Sequence, residues 1–214
     1  MGQNKYKSPV NELLLIGDIR GTSEWLNYSN FGITDKDIPE LVEMATDSSL
    51  NFGDPNSSYV WAPLHAWRAL GQLRAIQAIE PLINLFHELR DDTWANEDLP
   101  GVFGIIGKEA LPYLSRYLLN KLDDDFPKIT CAESIKQIGI KDEKTRHLCI
   151  QALTKELEKY LDNSPALNAF YIWYLKDLGA KDKLPLIKKV YTDNKVDEQV
   201  IGSYEKLEAK LLLF

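Results

Sequence analysis

Apolar residues along this chain return every three or four positions, and over no length do they alternate with polar ones. The pattern predicts helices throughout and no sheet. The most regular stretch begins Trp61-Ala62-Pro63-Leu64-His65-Ala66-Trp67-Arg68-Ala69-Leu70-Gly71-Gln72-Leu73 and runs on to Phe86. It reads as two amphipathic helices joined by a tight turn, the second opening near Pro81. Upstream, Ser8-Pro9 opens a short helix through Leu13 and Ile16, and Gly17 stops it. Thr22-Ser23 then caps an aromatic turn through Trp25, Tyr28 and Phe31. Thr34 to Asp37 reads as a capping box ahead of Ile38, Leu41, Val42 and Ala45, which share one face. The polar run 47–58, with Gly53 and Asp54-Pro55, predicts a loop long enough to be functional or mobile.

The later chain repeats the grammar of 61–86. A helix ends in an aliphatic residue plus glycine, and a second helix opens near a proline. The pairs are Leu70-Gly71, Ile106-Gly107, Ile138-Gly139 and Leu178-Gly179, with glycines 36, 32 and 40 residues apart. Pro81, Pro112 and Pro185 follow three of them. The second pair covers 94–107 and 108–120. The third starts at 123–125 with Asp125 as its cap, and its second helix covers 143–161. Ser164-Pro165 opens the fourth, and Asp197 starts a last helix ending at 211–214. Two-helix repeats of 30 to 40 residues predict an α-solenoid, in which each pair buries its face by stacking on its neighbours.

The opening pair resembles the HEAT-like repeats of the phycobilisome-lyase type. Ala66, Ala69-Leu70-Gly71, Ala78-Ile79 and Pro81-Leu82 fall where that motif has its small residues, its first-helix end and its second-helix start. Phe103, Ile106-Gly107, Ala110, Leu111-Pro112 and Leu114 repeat the match. The string from Val60 to Gly71, with Leu99-Pro100-Gly101-Val102-Phe103-Gly104 and Val196-Asp197-Glu198, is similar to a family of uncharacterised bacterial HEAT-like proteins. The resemblance implies an all-α fold, an α-α superhelix of about four to five helical pairs. It implies one domain over 1–214: a helical cap or divergent repeat at 1–58, four pairs over 59–192 and a capping helix at 193–214. Some members carry a C-terminal Cys/His zinc motif; residues 193–214 hold none, so zinc is not implied.

Composition narrows the function classes. The chain carries 25 basic against 32 acidic residues, a net charge of −7. That argues against a phosphate-backbone groove or an anionic membrane surface, and against the strongly basic groove of HEAT-like DNA glycosylases. Cys131 and Cys149 are too few for a disulfide scaffold and read as buried thiols of a cytoplasmic protein. No apolar run approaches the length of a membrane span. Three histidines and two cysteines at unrelated spacings predict no metal site, and no cofactor is implied.

Two constellations remain. Trp61, His65, Arg68 and Gln72 fall on one stripe of one helix, where an aromatic, an imidazole and a guanidinium offer a binding face. The alternative is that the tryptophans are core while His65 and Arg68 hydrogen-bond to the preceding loop. Asp91, Asp92, Glu97 and Asp98 cluster around Trp94, as acid-base carboxylates or simply as helix-start residues. If His65 or Arg68 reaches that cluster, the two features become one site. The expectation is a non-catalytic scaffold binding another protein or peptide through Trp61, His65, Arg68, Trp94, Asp91 and Asp92. The alternatives are a small-ligand protein or lyase of tetrapyrrole type, with His65, Asp91 and Asp92 as its polar groups, and a homo-oligomer joined through its end helices.

Overall fold

The computed structural model describes residues 5–19, 24–120 and 124–212. Among them every regular element is a helix and no strand occurs, as the apolar spacing predicts. The caps proposed at Thr22-Ser23 and the residues Asp123, Leu213 and Phe214 lie outside the described residues. The chain divides into two compact units, Met1–Ala110 and Leu111–Phe214.

The first unit holds α1 (Leu13–Ile16), α2 (Ile38–Ala45), α3 (Ser48–Asn51), α4 (Ala62–Gln72), α5 (Ile79–Glu88) and α6 (Thr93–Ile106), with short 3-10 turns between them. The helix α4 is its spine. It packs against α1, α2 and α6, and every residue from Ala62 to Gly71 is buried. A helix buried all round needs small residues where backbones approach and a partner for every polar group. Ala62, Ala66 and Ala69 serve the first need. At Gly71 a Cβ would stand 3.4 Å from Val102 of α6, so this glycine is a point of close packing inside the helix rather than its stop. Leu70, Phe86, Leu99 and Phe103 are buried in the core of this unit, Phe86 and Phe103 meeting edge to face at 5.4 Å.

The loop expected over 47–58 is partly a helix. Asp47 accepts the Ser49 N–H at 2.9 Å and so caps α3, and Ser57 caps the 3-10 turn Ser58–Trp61. Asp47 also receives Lys5 at 2.7 Å and the Tyr6 hydroxyl at 2.6 Å. Burial works to raise the Asp47 pKa, but these hydrogen bonds outweigh it and hold the carboxyl well below the usual range. The Thr34 box forms as read, with Asp37 accepting the Thr34 N–H at 2.8 Å.

The second unit holds α7 (Leu111–Leu118), α8 (Asp125–Lys141), α9 (Arg146–Leu157), α10 (Pro165–Asp177), α11 (Leu184–Thr192), α12 (Glu198–Ile201) and α13 (Tyr204–Leu212). The helix α8 packs against α7, α9 and α10, and α11 against α13. Asp124, not Asp125, caps α8, accepting the Phe126 N–H at 3.0 Å; Asp125 instead accepts the Ser164 hydroxyl. Ser164 caps α10 as expected, at 3.0 Å from the Leu167 N–H. The single last helix expected from Asp197 is two, because Gly202 turns the chain between α12 and α13. Buried Asn168 donates at 2.9 Å to the carbonyls of Tyr160 and Lys195, fastening the connections around α10. Cys131 and Cys149 are both buried, and burial pushes the Cys149 thiol up to about 12.

Candidate functional site

The polar side chains of α4 each go to a different neighbour. Trp67 donates its indole N–H to the Ala45 carbonyl at 2.9 Å. Gln72 donates to Leu26 O at 2.7 Å and accepts from Tyr28 N at 3.0 Å, clamping 26–28 as a backbone amide would. His65 is fully buried, with Nε2 at 2.8 Å from Gly17 O and Nδ1 at 2.8 Å from the Tyr28 hydroxyl. A carbonyl only accepts, so Nε2 carries a proton, and in the neutral ring Nδ1 then accepts from the Tyr28 hydroxyl. Burial favours the neutral ring, which ties α4 to Gly17 and Tyr28. It is not part of a binding face, a correction to the stripe read from spacing. The partner is also earlier in the chain than the 47–58 segment.

Burial lowers the His65 pKa, the Gly17 hydrogen bond opposes that, and the nearby Arg68 charge adds to it. A histidine titrates near 6.5 in an unfolded chain. Below that pH the unfolded state takes a proton that the folded state refuses, so folding is stabilised fully above it and progressively less as pH falls. Urea midpoints measured from pH 7.5 downward are expected to fall below about pH 6.5, and His65→Gln to flatten that part of the profile. An unchanged slope in the variant would remove His65 as the cause.

Arg68 does reach the acidic cluster, at Asp98. Its Nε donates to Oδ1 at 3.1 Å, and its Nη2 to Oδ1 at 3.0 Å and Oδ2 at 2.9 Å, the side-on fork of an ion pair. The pair is nearly enclosed, its side chains 11% and 9% exposed. Burial raises the Asp98 pKa, opposed by the Arg68 charge and its hydrogen bonds. The Trp25 ring lies 5.1 Å from the guanidinium carbon and is seated on α6 at Gly101, where a Cβ would stand 3.2 Å from Trp25 Cζ2. Trp61 and Trp94 meet edge to face, 6.0 Å between ring centres, and both are half-buried.

These groups border a cavity of about 160 Å³ lined by Ile19, Trp61, Leu64, Arg68, Trp94, Glu97 and Asp98. Three of the six expected site residues therefore come together: Trp61, Arg68 and Trp94. The others do not. His65 turns to Tyr28, Asp92 caps α6 by accepting Ala95 N at 2.8 Å, and exposed Asp91 lies 3.5 Å from Arg90. Asp98 and Trp25 are the residues the stripe missed. Trp94, Asp98 and Gly101 stand at i, i+4 and i+7, so one face of α6 matches one face of α4, which was the signal for Asp98. The signal for Trp25 was weaker, a lone aromatic in a turn.

Among the described residues no cluster of three His, Cys, Asp or Glu side chains is placed to hold a metal ion, and no helix is long and apolar enough to cross a membrane. The chain has no significant match among known protein families, curated proteins or solved structures.

Proposed function

We propose that this chain is a HEAT-like helical-repeat scaffold, an α-α superhelix of four to five helical pairs, that binds another protein or peptide and performs no chemistry. The observation that carries the reading is the pair of half-buried tryptophans, Trp61 and Trp94, poised edge to face beside the fixed Arg68–Asp98 ion pair. Tryptophan and arginine at the rim of a well-packed recess are the residue types that dominate binding energy in protein interfaces. Repeat stacking is supported within each unit, where the first helices of successive pairs pack together, α4 on α6 and α8 on α10. A cytoplasmic setting belongs to the same proposal and rests on the two free, buried thiols.

The tetrapyrrole-type alternative has less support. A cavity of about 160 Å³ takes a single side chain, whereas small-molecule sites start near about 300 Å³. The carboxylates of Asp91 and Asp92, which that reading would use, do not border it. Homo-oligomerisation through the end helices keeps one supporting observation, the exposed Leu212 of α13.

Affinity capture from lysate with the purified chain tests the reading. The Trp61→Ala/Trp94→Ala double variant is expected to lose the captured protein by more than about tenfold, with an unchanged urea midpoint. Capture that survives the double variant would move the binding face elsewhere. A collapse in stability would make the tryptophans core.

A further inference from the structure

A trough runs between α7 and α9, which both pack on α8. One face of each helix makes its walls: Leu111 and Leu118 of α7 with Leu119 just past its end, and Leu148 and Ala152, one turn apart on α9. It encloses about 280 Å³ and runs on into a second recess of about 560 Å³, the two sharing Leu118, Leu119 and Glu156. Leu119 is 66% exposed and Leu148 42%. A lone exposed leucine is ordinary. Two on one concave face, sharing it with buried Leu111 and Leu118, make an apolar surface shaped to be covered.

The charges at the trough select the partner. Glu156 is buried and already matched by Lys159, whose Nζ lies 2.8 and 2.7 Å from its two carboxylate oxygens. Exposed Lys155 at the first recess and half-buried Lys128 at the second make no ion pair among the described residues. The other carboxylate of the lining is exposed Asp162, so positive charge is in local excess on a chain of net charge −7. Charges more than about 8 Å away are largely screened at physiological ionic strength, so the lysines at the trough outweigh the net charge there. Shape decides the rest. Walls made of two helices offer no strand edge for an extended peptide to join, whereas a third helix can lay its apolar ridge between them. A second copy fits less well, because a two-fold contact would set the same concave face against itself. We infer that the α7–α9 trough binds an amphipathic helix of a partner protein, with aliphatic side chains between Leu119 and Leu148 and acidic residues beside Lys155 and Lys128. The site lies wholly in the second unit and stands independently of the Trp61–Trp94 reading.

Two synthetic helical peptides of about 14 residues, roughly four turns, test this by titration into the full ¹⁵N-labelled chain. Both carry the same leucine stripe; one is flanked by glutamates and the other by lysines. The glutamate peptide is expected to shift the backbone amides of Leu119 and Leu148. It is also expected to bind at least about tenfold more tightly than the lysine peptide, whose charge contacts turn from attraction to repulsion. Leu119→Ser/Leu148→Ser changes two exposed positions, so it is expected to keep the urea midpoint and abolish binding of both peptides. Lys155→Glu is expected to narrow the preference and Lys128→Glu/Lys155→Glu to reverse it. The Trp61→Ala/Trp94→Ala variant is expected to bind the glutamate peptide as the unaltered chain does. Equal binding of the two peptides, a preference for the lysine peptide, or shifts that avoid α7 and α9 would overturn the inference. So would a concentration-dependent dimer, seen by sedimentation velocity, that the leucine double variant abolishes, since that assigns the trough to a second copy.

Discussion

Asp98→Ala is expected to destabilise the first unit by about 3–5 kcal/mol, the cost of leaving a buried charge without its partner. The size follows from the asymmetry of the pair. Arg68 cannot shed its proton, and its guanidinium is buried between the Trp25 ring and Asp98 of α6, so removing the carboxylate strands a full positive charge away from water. Asp98→Asn keeps one acceptor oxygen and is expected to lose less. Replacing both partners by apolar residues of similar shape, Arg68→Met with Asp98→Leu, removes the charge and its desolvation together and is expected to recover most of the loss. Urea denaturation followed by tryptophan fluorescence reads all three. A loss below about 1 kcal/mol for Asp98→Ala would place the pair in the class of solvated surface ion pairs. The double variant separates stability from recognition, since it is expected to keep the fold while deleting the guanidinium beside Trp61 and Trp94.

That comparison bears on what a sequence shows of a site. The stripe Trp61, His65, Arg68, Gln72 is real as a stripe, because helical geometry puts those positions in line. Its meaning depends on what lies opposite, which periodicity along one helix does not carry. Gly17 and residues 26–28 cover His65 and Gln72, so half of the stripe holds the fold together; α6 covers Arg68, and Trp61 meets Trp94 at the cavity. The acidic cluster divides in the same way. Asp91, Asp92 and Asp98 look alike in the sequence, yet one is exposed, one caps a helix and one neutralises a buried arginine. The longer helices themselves were legible, because the spacing of apolar residues is set locally. Segments shaped by single capping bonds, such as α3 behind Asp47, were not.

The glycine of each repeat shows the same limit, and it carries the second large effect. Four aliphatic-glycine pairs look equivalent as helix stops. Two of them are: Gly107 and Gly179 sit at φ +93° and +71°, where a side chain is strained. Gly71 and Gly139 lie inside helices and mark close packing instead. At Gly139 of α8 a Cβ would stand 2.7 Å from Leu178 Cδ2 and 3.1 Å from Cys149 Cβ of α9. The leucine methyl has some freedom to move, whereas Cys149 Cβ is fixed to its backbone. Gly139→Ala therefore sets a gain of about 1 kcal/mol in helix propensity against crowding. Gly139→Val adds two methyl groups to the same contact and is expected to cost about 3 kcal/mol, the upper part of the range for overpacked cores. Leu178→Ala opens space beside the clash, so the Gly139→Val/Leu178→Ala double variant should cost less than the sum of the two single losses. Additive losses, measured by urea denaturation at one temperature, would mean that Leu178 is not what the new side chain meets, and would leave Cys149 Cβ of α9 as the contact that excludes it.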